Sequence, residues 1–282
     1  MKGFAGTDIA LSNKKSAEIF LQSIPYDGTS TWVKGADKGF EAFMNALGNM
    51  ELYDIETASE VYKKGIHITE SLGSFESPDQ MFNAVYQNTK KLLKLNKFLT
   101  FFGGEHSISI GIIKAFYEKF NSISILQIDA HADLRESYMG SKYNHACALH
   151  DANNNTHLVQ VGIRSMDISE KQFLNRDNVF FAQDMFINNQ WMDESINLLN
   201  EKVYITLDLD AFDPSIMPST GTPEPGGILW NDMLSYLKKV FKNRNVVGFD
   251  IVELAPIENL EAPNFLVAKL YYKMLSYKFH MI

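Results

Sequence analysis

The alternation of short apolar runs with longer helical segments restricts the fold of this chain more than any other feature of its sequence. Six runs rich in aliphatic and aromatic residues indicate buried strands. They lie at Glu18–Leu21, Phe98–Phe102, Ile123–Ile128, His157–Val161, Val203–Leu207 and Val246–Ile251. Helical spacing is found at Met81–Leu95, Ile108–Phe120, Asp232–Phe241 and Leu266–Leu275. This alternation predicts an α/β fold, in which helices cover both faces of a mainly parallel sheet.

The sequence contains no segment that would divide it into separate units. Its 282 residues include no internal repeat and no linker rich in proline, glycine or serine, so we expect a single domain over residues 1–282. Hydrophobic residues make up 45% and charged residues 21% of the chain. This composition is typical of a globular protein and excludes a disordered one.

Charge, hydropathy and cysteine content exclude several classes of function. The net charge of −8 repels polyanions, so we expect no nucleic acid partner. The first residues lack the apolar stretch of a signal peptide, and no run approaches the roughly 18 apolar residues of a membrane span. A cytoplasmic protein without membrane attachment is therefore expected. Since Cys147 is the single cysteine, a metal site would have to use histidine, aspartate or glutamate.

Polar residues follow four of the predicted strands directly. The runs GGEHS, DAHAD, DLDAFDP and VELAP come at the ends of the strands that begin near Phe98, Ile123, Val203 and Val246. In open parallel sheets, ligands bind beyond the carboxyl ends of the strands. The functional site is therefore expected at this edge of the sheet.

Two of these runs place acids and histidines at alternate positions. Asp129, His131 and Asp133 have this spacing, and so do Asp208 and Asp210. Alternate residues of an extended segment share a face, so each set can point to one place. Together with His106 they give four carboxylates and two imidazoles. Each residue alone would also fit a helix cap, a turn or a buried hydrogen bond.

Four carboxylates in one cleft would resist joint ionisation unless positive charge compensates them. Two divalent cations supply that charge, so the residues favour a binuclear metal site. The ligands are rich in oxygen and contain no thiolate, which favours manganese and leaves nickel, zinc or cobalt possible. Two such ions activate water for hydrolysis, so a hydrolase is expected.

The motifs resemble those of the ureohydrolase family, which includes arginase and agmatinase. Four blocks match in order: GGEHS at 103–107, DAHADLR at 129–135, DLDAFDPSIMPSTGTPEPGG at 208–227 and DIVELAP at 250–256. The run IPYDGTSTWVKGADKG near the N-terminus is also similar to the family's opening segment. The resemblance covers most of the chain and is closest to agmatinase.

The resemblance implies an arginase-like, three-layer α/β/α fold with a central parallel sheet and two Mn(II) ions. One ion would be held by His106, Asp129, Asp133 and Asp208, and the other by Asp129, His131, Asp208 and Asp210. Glu105 replaces an aspartate that is common in the family, at a position that is not a metal ligand there.

The resemblance also implies catalytic roles for three residues. Glu253 matches the family's carboxylate that holds the guanidinium, for which a carboxylate is the natural partner. Asp133 would carry a proton to the departing amine, because the tetrahedral intermediate collapses only when that amine is protonated. His145 matches a family histidine that could shuttle protons near neutral pH.

The leading expected substrate is agmatine, cleaved to putrescine and urea by a hydroxide bridging the two ions. The stretch Leu134–Ala146 resembles agmatinase more than arginase. Arginase, guanidinobutyrase, guanidine hydrolase, formimidoylglutamase and a non-catalytic family member remain alternatives. Glu136 and Glu224 are candidates for contact with the remote amine of a small cationic guanidino substrate. Arg135 is interpreted as an ion-pair former, and a homotrimer or homohexamer is expected from the family.

Overall fold

The structure, a computed structural model, describes residues 3–280 and is built on one sheet of eight parallel strands. The order across the sheet is β2-β1-β3-β8-β7-β4-β5-β6. The strands are β1 (Ile19–Ile24), β2 (Ile66–Ile68), β3 (Phe98–Gly103), β4 (Ser124–Ile128), β5 (His157–Ile163), β6 (Val179–Phe181), β7 (Lys202–Asp208) and β8 (Asn245–Val252).

Residues 3–280 contain eight α-helices, of which the last follows β8 and the others lie between strands. They are α1 (Gly39–Leu47), α2 (Pro78–Leu92), α3 (Ile108–Lys119), α4 (His150–Asn155), α5 (Ala182–Met185), α6 (Gln190–Leu198), α7 (Trp230–Asn243) and α8 (Glu261–His280). Helices α1, α6, α7 and α8 contribute to the core on one face of the sheet, and α2, α3 and α4 to the core on the other. Within residues 3–280, no helix combines the length and apolar character that a membrane span requires.

The inner strands are apolar on both faces, which places a core on each side of the sheet. In β7, Val203, Ile205 and Leu207 belong to one core, whereas Tyr204 belongs to the other. Side chains of a strand alternate between the two faces of a sheet, so a strand covered on both sides reads as a continuous apolar run. The expected three-layer α/β/α architecture is therefore confirmed.

All six predicted strands are present, but two short strands were not predicted. β2 and β6 have three residues each and form the two edges of the sheet. A three-residue run carries too little periodicity to stand out in the sequence. The shorter helices α1, α4, α5 and α6 were also not predicted.

The four predicted helices are present with shifted ends. α2 begins at Pro78 rather than Met81, because the Ser77 hydroxyl accepts a hydrogen bond from the backbone N–H of Gln80 at 3.2 Å and caps the helix. α8 extends well beyond the predicted Leu266–Leu275. Its residues are buried around most of its circumference, so the sequence shows no single apolar stripe that would mark its length.

The strand order brings the four polar motifs together. β3, β8, β7 and β4 are consecutive neighbours in the sheet, although they are far apart in the sequence. All four are parallel, so their carboxyl ends lie at the same edge. The connection through α3 passes over β8 and β7 before the chain enters the sheet again at β4. The residues that follow these strands therefore form one cluster.

Candidate metal centre and active site

His106 lies at the centre of a group of three carboxylates. Its Nδ1 atom is 3.1 Å from Asp129 Oδ2, 3.1 Å from Asp133 Oδ2 and 3.3 Å from Asp208 Oδ2. His106 follows β3, Asp129 and Asp133 follow β4, and Asp208 ends β7. His106, Asp129 and Asp208 form a group whose ligand atoms are close enough together to hold a metal ion.

A second group forms beside the first and shares Asp129 with it. His131 Nδ1 lies 2.8 Å from Asp210 Oδ2 and 3.8 Å from Asp129 Oδ1. Asp129, His131 and Asp210 could together hold a metal ion. The structure thus brings together all six residues that the sequence singled out, in two adjacent groups joined by one carboxylate.

The hydrogen bonding of His106 fits a metal ligand. Its Nε2 atom lies 2.9 Å from the Thr206 hydroxyl, which donates to Asp250 Oδ1 at 2.7 Å. Since the hydroxyl has one hydrogen, it accepts from Nε2–H of His106. Within residues 3–280, the buried Nδ1 atom has no hydrogen-bond partner, and it faces three carboxylates. A cation at this point would satisfy both the nitrogen and the oxygens.

Burial makes these carboxylates hard to ionise in the absence of a cation. It raises the pKa of Asp133 to about 7, with the charge of Asp129 as the next cause. Burial and the charge of Asp210 raise the pKa of Asp129, and they hold the pKa of Asp208 well above its usual range. The cluster therefore binds protons near neutral pH, and a divalent cation would replace them.

The two imidazoles favour their charged form, unlike most of these carboxylates. Burial lowers the pKa of His106, but the contacts with Asp129, Asp133 and Asp208 outweigh that effect and hold the pKa well above 6.5. Likewise burial lowers the pKa of His131, but Asp210 outweighs it and the pKa rises to about 11. Although burial raises the pKa of Asp210, contact with His131 lowers it to about 2. In the absence of metal, protons on the imidazoles compensate part of the negative charge.

Glu253 lies directly beside this cluster. It follows β8, and its Oε1 atom accepts a hydrogen bond from the backbone N–H of His106 at 2.7 Å. Its backbone φ of 69° is in the left-handed region, which is uncommon for a residue with a side chain. Burial and the charge of Glu105 hold its pKa well above the usual range. A buried carboxyl of this kind would be stabilised as a carboxylate by a cationic ligand.

His145 is held at the site by a chain of hydrogen bonds. Its Nδ1 atom lies 3.0 Å from the Thr29 hydroxyl, which donates to Glu105 Oε1 at 2.9 Å. By the same single-hydrogen argument, Nδ1 carries the proton and Nε2 is free to accept one. Burial, followed by the charges of His131 and His106, lowers the pKa of His145 to about 4. The imidazole is therefore neutral at pH 7.

Several residues that support the site were not predicted from the sequence. Thr29 holds His145, and Thr206 and Asp250 support His106. Gln127 donates to Asp129 Oδ2 at 2.8 Å and to the His131 carbonyl at 3.0 Å. Thr29 and Asp250 lie within segments that resemble the family, and this resemblance could have indicated them. Thr206 and Gln127 lie inside apolar strands, where only their polarity distinguishes them.

The loop at 218–227 is held in place from two sides. Asp213 accepts hydrogen bonds from the backbone N–H groups of Gly226 and Gly227. On the other side, the Arg164 guanidinium donates to five backbone carbonyls. Those carbonyls belong to Gly162, Asp210, Phe212, Glu224 and Pro225. Arg164 thus joins this loop to the segment that carries Asp210.

Arg135 is engaged within the chain. Its Nη2 atom lies 3.5 Å from Asp167 Oδ2, and its guanidinium stacks 4.4 Å from the centre of the Tyr138 ring. This agrees with the interpretation of Arg135 as an ion-pair former. Glu136 is exposed, whereas Glu224 lies beside His131.

Comparisons with known proteins identify the family. The family model described as "Arginase family" matches residues 17–276. The N(1)-aminopropylagmatine ureohydrolase of Synechocystis sp. is 33% identical over 279 residues, which cover 95% of this chain and 91% of that protein. The agmatinase of Pyrococcus horikoshii is 28% identical over 265 residues, which cover 93% of this chain and 92% of that protein. The crystal structure of the agmatine ureohydrolase of Thermoplasma volcanium has a TM-score of 0.87 at 28% identity, covering 99% of this chain and 94% of that one. The chain therefore belongs to the arginase family and is a ureohydrolase.

Proposed function

We propose that this ureohydrolase cleaves agmatine to putrescine and urea with two Mn(II) ions, and so acts in polyamine biosynthesis. The observation that carries the proposal is the presence of two adjacent groups of side chains that could each hold a metal ion and that share Asp129. A single metal site would not need four buried carboxylates around two imidazoles. Two divalent cations would neutralise the four negative charges.

The proposed ligands are divided between the two ions. His106, Asp129, Asp133 and Asp208 would hold one ion, and Asp129, His131, Asp208 and Asp210 the other. The distances of 3.1–3.3 Å around His106 Nδ1 support the first set, and the 2.8 Å contact between His131 and Asp210 supports the second. When bound, such a pair of ions supplies Lewis-acid activation of water at neutral pH.

Glu253 is proposed to hold the guanidinium of the substrate. A guanidinium is planar and permanently protonated, and its N–H groups match the two oxygens of a carboxylate. The raised pKa of Glu253 supports this role, because a buried carboxyl without a cationic partner is poorly stabilised in its charged form. Oε1 already accepts from His106 N–H, so the position of the carboxylate is fixed before substrate arrives.

Asp133 and His145 are proposed to handle protons. Asp133 lies within the cluster, with Oδ2 at 3.1 Å from His106 Nδ1, which supports a role in carrying a proton to the departing amine. His145 is neutral at pH 7, with Nδ1–H fixed by Thr29 and Nε2 free. It would pass protons between the site and solvent, while Asp133 delivers one to the departing amine.

Agmatine fits the overall charge of the protein, since a net charge of −8 favours a cationic substrate. The agmatinase of P. horikoshii supports this choice. N(1)-aminopropylagmatine is a second candidate, which the Synechocystis relative favours at higher identity. The two substrates share the guanidino group and differ in the length and charge of the tail.

A panel of guanidino compounds tests the proposal. Urea release by the Mn(II)-loaded protein would be measured with agmatine, N(1)-aminopropylagmatine, arginine and 4-guanidinobutyrate. We expect the highest kcat/KM with one of the first two compounds. A preference for arginine or 4-guanidinobutyrate would overturn the substrate assignment. Metal analysis of the active protein should give two ions per chain, and a single ion would overturn the binuclear proposal.

A further inference from the structure

Glu224 occupies a position that the roles proposed above do not explain. Its Oε1 atom lies 3.8 Å from Nε2 of His131, on the side of the imidazole opposite to the nitrogen that faces Asp210. A distance of 3.8 Å is too long for a hydrogen bond. The carboxylate is therefore close to the metal cluster without belonging to it.

The exposure of the side chains shows that Glu224 lies on the open side of the cluster. The exposed fraction of the side chain is 0% for Asp129 and 3% for Asp210. It rises to 24% for His131 and 35% for Glu224. These four residues thus form a path from the floor of the site to solvent, and Glu224 is at its outer end.

The backbone of Glu224 is held firmly at this place. Pro223 and Pro225 flank it and fix their own φ angles, and Pro225 also restricts the backbone of Glu224. Arg164 donates to the Glu224 carbonyl at 2.8 Å and to the Pro225 carbonyl at 3.1 Å. Binding of a ligand to this carboxylate therefore does not require its backbone to be ordered first.

The negative charge of Glu224 has no cationic partner in the described part of the chain other than the neighbouring histidine. Within residues 3–280, its one ion-pair contact is with His131, and Arg164 bonds its carbonyl oxygen instead of its carboxylate. The carboxylate lies on the open side of the cluster, where the cationic group of a ligand could approach it.

We propose that Glu224 binds the remote ammonium of the substrate and thereby makes the enzyme select guanidino compounds with a cationic tail. This inference rests on the proposed function. The course of the loop supports it, because the loop also passes beside the carboxylate proposed to hold the guanidinium. A Cβ added at Gly221, three residues before Glu224, would lie 3.4 Å from Glu253 Oε2.

Glu136, the other acid considered for this role, is less suited to it. It is exposed on the loop that follows Asp133 and Leu134. An exposed carboxylate on a surface loop contributes little to a specific contact, because water screens its charge. It therefore serves as the matched control in the same reaction.

The experiment compares Glu224→Gln and Glu136→Gln with agmatine and with 1-butylguanidine, which has the same four-carbon chain without the ammonium. For Glu224→Gln we expect the KM for agmatine to rise about tenfold, the magnitude of one partly exposed charged contact. The kcat for agmatine and both constants for 1-butylguanidine should change less than twofold. Glu136→Gln should resemble the unchanged enzyme with both compounds. Glu224→Lys should favour 4-guanidinobutyrate over agmatine.

The outcomes separate this inference from the proposed function. If Glu224→Gln impairs agmatine and 1-butylguanidine equally, Glu224 acts through His131 and the inference is wrong. It is also wrong if neither Glu224 variant alters the ratio of the KM values. If the unchanged enzyme releases no urea from agmatine or N(1)-aminopropylagmatine, the proposed function fails, and the inference fails with it.

Discussion

Replacement of Thr206 by valine tests whether a buried hydroxyl prepares His106 for metal binding. Thr206 is fully buried, and its hydroxyl connects His106 Nε2 to Asp250. Valine has the same shape as threonine but has no hydroxyl. The substitution therefore removes the hydrogen-bond partner of Nε2 with little change in packing, and nothing then holds the imidazole in the form that presents Nδ1 to the carboxylates.

The expected magnitude follows from these contacts. An unsatisfied buried donor costs about 1–3 kcal/mol. Loss of the group that orients a metal-binding histidine typically reduces metal affinity by about 10–100-fold, which corresponds to about 1.4–2.8 kcal/mol. The two ranges agree. We expect one of the two Mn(II) binding steps to weaken by this factor, because Thr206 contacts His106 and His131 lies in the other group.

Calorimetric titration of metal-free Thr206→Val with Mn(II) measures both binding steps. Thr206→Ser keeps the hydroxyl and serves as the control, with affinities within about threefold of the unchanged protein, since one methyl group contributes little. Unchanged affinity in Thr206→Val, or an equal loss at both sites, would refute the orienting role of Thr206.

Three further results are expected. Asp129→Ala should lose both ions, because Asp129 lies in both groups, and its far-UV circular dichroism should stay unchanged. Its rate of urea release should fall on the order of 10³-fold or more, about 4 kcal/mol. A variant that keeps one ion and its activity would contradict this. As the pH falls from 7 to 6, Mn(II) affinity should fall about fivefold through Asp133, whose pKa is raised to about 7, and about tenfold through His131, whose pKa is raised to about 11, because the metal must displace their protons. The stability of the metal-free fold should also depend on pH, because a raised carboxyl pKa stabilises it fully below about pH 4 and no longer does so above about pH 7. Added Mn(II) should therefore raise Tm more at pH 7.5 than at pH 6. Equal shifts in Tm would argue against this. Arg164→Lys keeps the charge but loses most of the five carbonyl contacts, so the free energy of unfolding in urea should fall by about 1–3 kcal/mol, and a change below about 0.5 kcal/mol would mean that the contacts do not stabilise the loop.

The local pattern of the sequence was sufficient to predict the inner strands and to select the six residues that cluster at the site. An inner strand such as β7 is apolar on both faces, so its limits are visible as a continuous run that ends in Asp208. The acids and histidines at 129, 131 and 133 stand out because they interrupt apolar sequence at alternate positions. Both signals arise within a few residues of chain.

The supporting residues were less visible because their role depends on contacts between distant segments. Thr206 contacts His106, which is 100 positions away, and Thr29 contacts His145, which is 116 positions away. A threonine in a strand is common whether or not it bonds to a histidine. The sequence could therefore not distinguish Thr206 from an ordinary strand residue.

The sequence by itself determined the α/β class, the strands that end in polar motifs and the residue types able to hold metal. The tertiary structure decided that β3, β8, β7 and β4 are neighbours, that Asp129 belongs to two groups, and that Glu224 rather than Glu136 lies beside His131. The physical reason is the distance along the chain over which each kind of interaction acts. Periodicity and turn chemistry act over a few residues, whereas strand order, burial and the resulting pKa shifts depend on segments that meet only in the folded chain.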